Sequence, residues 1–146
     1  SHLIPNVLLH LLGKRSSIEI FGDNYETMDG TCVRDYIHVL DLANAHIRAL
    51  EHLLATQANL ALTYNLGNGK GHSVMEVIKM CEHVTGKKAN TVVTPRRAGD
   101  PAYLVANYEK VKKALNWRPV YSLEDIVSTA WHWHTTHPDG YNAVTF

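Results

Sequence analysis

The chain has few cysteines, no excess of charge of either sign and no long apolar run. Cys32 and Cys81 are too few for a disulfide framework and lack a zinc-ligand spacing, so we expect a reduced, cytoplasmic protein. Lys and Arg total 14 and so do Asp and Glu, which removes the overall field that attracts nucleic acid or anionic membranes. No apolar run approaches the ~20 residues of a membrane span. We therefore expect a globular protein with no nucleic-acid or membrane partner.

Two adjacent arginines stand in a short loop bounded by prolines, at residues 95–101. Pro95 and Pro101 fix their own φ, which disfavours helix and strand here. Guanidinium groups suit phosphate because their N–H donors form a fixed fork. Asp100, three residues after Arg97, can accept a hydrogen bond from a sugar hydroxyl. The alternative is a solvated turn with a local ion pair.

Alternating helix and strand signals predict an α/β fold with a small mixed sheet flanked by helices. Ser73 with Glu76 reads as a capping box, Ser122 as an N-cap, and Asp41 as the cap of a helix with an apolar face. We predict helices over residues 3–12, 41–53, 73–86, 108–115 and 122–137, and strands or extended segments over 18–21, 36–39, 62–66 and 91–94.

Longer motifs occur in a fixed order along almost the whole chain. They lie at residues 20–23, 29–39, 64–69, 95–101 and 130–133, and the second contains Val-Arg-Asp-Tyr-Ile-His. With these motifs the chain resembles the nucleotide-sugar epimerases of the extended short-chain dehydrogenase family, in particular those that interconvert UDP-glucose and UDP-galactose. Any one motif is weak, whereas their order and number are specific.

The resemblance implies that residues 1–146 form the C-terminal, UDP-sugar-binding domain of an NAD-dependent isomerase, which family relatives suggest is a homodimer. In this family NAD takes a hydride from C4 of the hexose and returns it to the other face of a 4-keto sugar. The NAD-binding half and its Tyr-x-x-x-Lys pair are absent from this chain, so we expect the fragment alone to be inactive. We expect no catalytic, cofactor-binding or metal-binding residue in it.

The same resemblance implies a substrate site. Its residues would be Glu19, Ile20 and Phe21 at the uracil, Arg34 and Arg97 at the diphosphate, Asp100 at the ribose, Leu104 limiting the space beside the sugar, and His2 with Leu3 near the ligand. Two alternatives stay open. Phe21 could pack in the core, and Arg34 could pair internally with Asp35 or Asp41.

Three features imitate functional sites. Residues 67–71 approach a Gly-x-Gly-x-x-Gly fingerprint, but His72 replaces the last glycine, which favours a plain strand-to-helix turn. Tyr108 and Lys112 match Tyr-x-x-x-Lys in letters but begin an ordinary charged helix. The histidines at 132, 134 and 137 alternate with tryptophans and lack a cysteine or carboxylate ligand, which favours packing over metal binding.

Two other functions remain open at this point. One is a different nucleotide-sugar enzyme of the extended family, such as a decarboxylase or dehydratase. The other is a non-catalytic nucleotide-sugar-binding or dimerisation module.

Overall fold

A computed structural model describes residues 2–56 and 61–141. This part of the chain contains five helices and five short strands. The helices are α1 (Leu3–Leu11), α2 (Val39–Thr56), α3 (Val74–Thr85), α4 (Glu109–Leu115) and α5 (Leu123–Thr136). The strands are β1 (Ile18–Phe21), β2 (Val33–Arg34), β3 (His72–Ser73), β4 (Thr91–Thr94) and β5 (Tyr103–Leu104).

The strands form two small sheets. In one, β1 pairs with β4 in parallel, with Ile18 opposite Thr91. In the other, the order is β3-β2-β5, with β2 antiparallel to β3 and parallel to β5. The prediction of an α/β fold with a small mixed sheet and helices is confirmed.

The main core lies between α1, α3, α5 and the buried face of β1. Val7, Leu8, Val77 and Val127 are fully enclosed there, and Ile20 contributes from β1. Each buried aliphatic side chain contributes roughly 1.5–3 kcal/mol. This packing fixes β1 against α1, so the cleft described below has rigid walls.

A second cluster joins α2 to α4 around Trp117. The indole is almost fully buried with Ala45, Val111 and Leu115, and its Nε1–H donates to the Asp41 carbonyl at 3.1 Å. A buried indole needs such an acceptor for its one polar group. Trp117 therefore anchors the segment after α4 to the first turn of α2.

Two of the three predicted helix N-caps, Ser73 and Ser122, are confirmed. Ser73 and Glu76 form a reciprocal capping box at α3, and Gly86 ends that helix in the left-handed region at φ 68°. Ser122 forms a second box with Asp125 at α5. Helix α1 ends at Leu11, and the chain turns at Gly13 with φ 80°.

The segment before α2 differs from the prediction. Residues 36–39 form no strand, because the paired residues are Val33 and Arg34 and α2 already begins at Val39. Asp41 is not the cap: its carboxylate accepts the backbone N–H groups of Val120 and Tyr121 at 3.1–3.2 Å. The carboxylate therefore binds the segment before α5 and not the N-terminus of its own helix.

One further prediction is wrong, and one surface is less buried than its apolar pattern would allow. Residues 62–66 form no strand, because a strand needs a paired neighbour and no other described residue pairs with this segment. The predicted apolar face of α2 is only partly used. Ala45 is buried, but Leu50 and Leu53 are exposed because α4 covers only the side around Ala45.

Candidate functional site

A cleft of about 430 Å³ opens between the start of α1, strand β1 and the arginine loop. Every predicted site residue except His2 and Leu104 lies in its wall. The cleft therefore brings together side chains that are far apart in the chain. Its wall contains Leu3, Asn6, Arg15, Ser17, Ile18, Glu19, Ile20, Phe21, Gly22, Cys32, Arg34, Tyr36, Val74, Arg97 and Asp100.

Arg34 is held by the loop that carries Asp100. Its Nη1 donates to the carbonyls of Val33 and Pro101, both at 2.8 Å, and its Nη2 lies 3.3 Å from Asp100 Oδ1. The predicted alternative pairing with Asp35 or Asp41 is wrong, since Asp100 is the partner. A guanidinium has five N–H donors, and the Nε–H takes part in none of these contacts.

Arg97 lies over an aromatic ring. Its Cζ is 3.6 Å from the centre of the Phe21 ring, a cation–π arrangement that fixes a long side chain. Phe21 is half-buried and belongs to neither core cluster. The alternative of core packing for Phe21 is therefore wrong, and the ring forms part of the cleft wall.

The neighbouring Arg96 has a different position. Its guanidinium stacks on Tyr25 at 4.0 Å, and its Nε donates to Asn24 Oδ1 at 2.7 Å. Gly22 permits this approach, because its φ is 87° and an added Cβ would lie 2.4 Å from Arg96 Cγ. Arg96 thus ties the arginine loop to residues 22–25, while Arg97 lies in the cleft.

Strand β1 presents one backbone edge to the cleft, and within residues 2–56 and 61–141 no strand pairs with that edge. The N–H groups of Ile18 and Gly22 donate to Asn90 and Thr94 on the β4 side, both at 2.9 Å. Backbone groups of a strand alternate in direction, so those of Glu19 and Phe21 point away from β4. A planar heterocycle with its own donors and acceptors can pair with such an edge.

His2 and Leu104 lie outside the cleft wall. His2 is the exposed N-cap of α1 and makes no side-chain capping bond. Leu104 pairs with Arg34 across β5 and β2, and it is 61% exposed. Their proposed contacts with a ligand stay predictions.

Sequence reasoning missed several wall residues. Cys32, Arg34 and Tyr36 all line the cleft at alternate positions, and this period of two is a signal that could have identified Cys32 and Tyr36. Burial raises the pKa of Tyr36 to about 12, so the phenol stays protonated at neutral pH. Asn6 and Arg15 come from other segments, and no local pattern marks them.

The glycine turn at residues 67–71 does not fit a dinucleotide. Backbone N–H groups of Asn68 and Gly69 already donate to the Asp35 carboxylate. A Cβ on Gly71 would lie 2.4 Å from Val33 Cγ1, so this glycine serves internal packing. The described residues thus provide no amide cradle for NAD at this turn.

The Tyr-x-x-x-Lys match and the C-terminal histidines make structural contacts. Tyr108 is the N-cap of α4 and packs edge-on against Trp117, while Lys112 pairs with Glu109 at 2.9 Å. His137 stacks on Trp133 with ring centres 3.7 Å apart. Within residues 2–56 and 61–141, no three His, Cys, Asp or Glu side chains are close enough to hold a metal ion.

A larger cavity of about 640 Å³ lies between α2, α4 and residues 116–121. Two of the three cationic side chains in its wall already have partners, and the third, Arg118, is exposed. Arg48 Nη1 donates to the carbonyls of Leu115 and Asn116 at the end of α4, and Lys112 binds Glu109. The smaller cleft differs in that Arg34 and Arg97 lie beside the edge of β1 that no described strand covers, and we take it as the candidate ligand site.

Comparison with known proteins places this geometry in context. The family model described as GDP-mannose 4,6 dehydratase matches residues 1–130. A UDP-glucose 4-epimerase of Halalkalibacterium halodurans is 54% identical over 143 residues, which are 97% of this chain and 42% of that protein. The chain thus spans less than half the length of this relative. In the described part of the chain, no helix has both the length and the apolar character needed to cross a membrane.

Solved structures agree with the sequence comparison. A crystal structure of UDP-glucose 4-epimerase superposes with a TM-score of 0.91 at 48% identity, covering 97% of this chain and 43% of that one. The Stenotrophomonas maltophila UDP-glucose 4-epimerase, with bound NAD and formylated UDP-arabinopyranose, superposes with a TM-score of 0.89 at 38% identity. That match covers 94% of this chain and 40% of the other.

Proposed function

We propose that this chain, which belongs to the family whose model is described as GDP-mannose 4,6 dehydratase, is the UDP-sugar-binding portion of an NAD-dependent UDP-glucose 4-epimerase. The epimerase assignment rests on the identity of 54% to one such enzyme. Since the chain spans only 42% of that relative, the activity of the whole protein is part of the proposal.

One observation carries the proposal: Arg34 and Arg97 line the same cleft although Arg34 lies in β2 and Arg97 in the arginine loop. Their charges suit a diphosphate, and each charge-assisted hydrogen bond contributes about 1.5–3 kcal/mol. Arg97 is oriented in advance by Phe21, and Arg34 by Asp100 and Pro101. Such preorganisation reduces the entropy lost when a ligand binds.

The two ends of a UDP moiety fit the rest of the cleft. Uracil has a planar edge of donors and acceptors, which matches the backbone edge of Glu19 and Phe21. The carboxylate of Asp100 can accept from ribose hydroxyls through the oxygen that does not face Arg34. The wall therefore supplies a partner for each part of the nucleotide.

This chain does not supply the redox step. NAD would take up and return the hydride in the whole enzyme, yet the glycine turn of this chain is committed to Asp35. We therefore propose that this portion binds the UDP-sugar, that the rest of the enzyme holds NAD, and that the isolated chain does not epimerise UDP-galactose. Conversion of UDP-galactose by the purified chain would contradict the last statement.

Calorimetric titration with UDP tests the binding role. We expect Arg97→Ala to weaken UDP binding about 10- to 100-fold, the equivalent of one lost charged hydrogen bond. Arg34→Ala should have a similar effect. Arg118→Ala, an exposed arginine beside the larger cavity, is the matched control and should leave UDP affinity unchanged.

Uridine provides the second arm of this experiment. It retains the base and ribose but lacks phosphate, so both arginine variants should bind it almost as the unchanged chain does. Thermal melts of each variant check that the fold is intact. Full UDP affinity in both arginine variants would remove the diphosphate role from the cleft.

A further inference from the structure

One carboxylate outside the cleft wall binds backbone from two other segments. Asp35 Oδ1 accepts the N–H of Asn68 at 2.7 Å, and Oδ2 accepts those of Gly69 and Ala106, each at 3.1 Å. Hydrogen bonds to an ionised acceptor are roughly twice as strong as neutral ones. The arrangement concentrates three of them at the end of β2.

The three N–H donors come from the segments next to β3 and β5, the two strands that flank β2. Asn68 and Gly69 lie in the turn that leads to β3, and Ala106 comes just after β5. Strand β2 pairs with each neighbour through only two residues, and such short ladders are weak without support. Asp35 thus fastens one end of β2 to both flanking strands.

Arg34 makes the complementary connection at the other end of β5. Its guanidinium binds Pro101 and Asp100, which precede β5, whereas Asp35 binds Ala106, which follows it. Consecutive residues of a strand point to opposite faces. The neighbouring side chains of Arg34 and Asp35 therefore hold β5 from its two ends and set the position of the Asp100 loop.

Gly67 leaves room for this arrangement. A Cβ at this position would lie 2.3 Å from Asp35 Oδ2 and 2.6 Å from the Ala106 Cβ. Gly67 is not among the glycines with positive φ, so an alanine there would disturb the carboxylate and not the backbone conformation.

We infer that Asp35 is a positioning residue for the UDP-sugar site: its carboxylate places Arg34 and Asp100 without touching the ligand. The inference rests on the proposed function for the identity of the ligand. It does not depend on that function for the placement of Arg34, which can be measured separately.

The test uses Asp35→Asn and Gly67→Ala, with Asp41→Asn as the matched control. Asp41 is also a carboxylate that accepts two backbone N–H groups, but it lies in the wall of the larger cavity. UDP affinity is measured by calorimetry, and the guanidinium of Arg34 is followed through its Nε–Hε NMR signal.

We expect both Asp35→Asn and Gly67→Ala to weaken UDP binding about tenfold and to shift and broaden the Arg34 signal. Asp41→Asn should lower the melting temperature without either effect. In an Arg34→Ala background, Asp35→Asn should cost little further affinity, because coupled residues are not additive. Should Asp35→Asn fail to fold, Gly67→Ala keeps the carboxylate and answers the same question.

The outcomes separate the two proposals. Unchanged UDP affinity and an unchanged Arg34 signal in both variants would overturn the positioning role while leaving UDP binding intact. Equal losses of affinity in Asp35→Asn and Asp41→Asn would overturn it too, because the effect would then be general destabilisation. If the unchanged chain binds no UDP yet Asp35→Asn still displaces Arg34, the proposed function fails and the positioning role stands.

Discussion

Two side chains retain their protons far above the pH at which such groups usually ionise. Cys81 is fully buried in α3, and burial raises the pKa of its thiol from 9.0 to about 12. Burial likewise raises the pKa of Tyr36 from 10.0 to about 12. In both cases the packed interior disfavours the anion. The folded chain therefore disfavours the Cys81 thiolate and the Tyr36 phenolate, so its stability should depend on pH in the alkaline range.

The free energy of unfolding should fall as the pH rises above 9. Between about pH 9 and 12 the unfolded chain releases the Cys81 proton while the folded chain keeps it, which costs about 1.4 kcal/mol per pH unit. Urea denaturation at pH 8, 9 and 10 measures the slope. Cys81→Ala should flatten the curve between pH 9 and 10. An equally steep curve for Cys81→Ala would contradict the assignment.

The two capping boxes have the same local hydrogen bonds, but we expect them to contribute differently to the free energy of unfolding because their surroundings differ. Ser122 at α5 is exposed and interacts only within its own helix end. Ser73 at α3 is buried, and its hydroxyl also donates to the Asp29 carboxylate. Burial alone would raise the pKa of Asp29, but hydrogen bonds from Ser73 and Thr31 outweigh it and lower that pKa. The cap of α3 therefore also anchors the loop before β2.

Removing each cap should reveal this difference. Ser122→Ala should cost about 1 kcal/mol of unfolding free energy, the usual effect of losing an N-cap. Ser73→Ala should cost about 2–3 kcal/mol, because its hydrogen bond to the Asp29 carboxylate comes from a buried hydroxyl, whereas the bond from Ser122 to Asp125 is exposed to water. Chemical denaturation at pH 7 measures both. Since the pKa of Asp29 is lowered, its contribution is present above pH 3.8 and is lost as the pH falls, so the cost of Ser73→Ala should become smaller in acid. Equal costs at pH 7 would show that the Asp29 bond adds nothing.

Elements with a local signal could be predicted from the sequence. Apolar periodicity with caps identified α1, α3 and α5, and β-branched runs identified β1 and β4. Strands β2, β3 and β5 have two residues each, which is too short for any alternation. Asp41 is a residue type that commonly caps helices. Its carboxylate instead accepts hydrogen bonds from Val120 and Tyr121, which lie 79 and 80 positions later in the chain. Propensity was overridden here by a tertiary contact.

Some residues of the candidate site could likewise be predicted from local motifs, and others could not. Arg34, Arg97 and Asp100 could be predicted, because each lies in a motif with family resemblance, and they do line one cleft. Cys32 and Tyr36 were recoverable from their period of two around Arg34. Arg15 and Asn6 reach the cleft only because α1 packs beside β1. Only the packed fold brings such residues together.

At the scale of the whole molecule, one side of α2 carries a row of exposed apolar side chains. Ile47, Leu50 and Leu54 are 56%, 58% and 71% exposed, and their spacing places them on one helix face. No residue within 2–56 or 61–141 buries this face. Contiguous exposed apolar patches on a protein mark interaction surfaces or association liabilities. The face is separate from the core, so its chemistry can be changed without repacking the interior.

The purified chain should therefore associate with itself as its concentration rises. Light scattering coupled to size exclusion should show a mass that grows with concentration, together with enhanced fluorescence of a hydrophobic dye. The double variant Leu50→Lys with Leu54→Lys should abolish both effects and change the unfolding free energy by no more than about 0.5 kcal/mol, as is usual for exposed sites. Val120→Lys is the control, because Val120 is similarly exposed at 69% but lies away from this face. A chain that stays monomeric at every concentration would contradict the prediction, and a large loss of stability in the double variant would mean that the face is already packed against other parts of the chain.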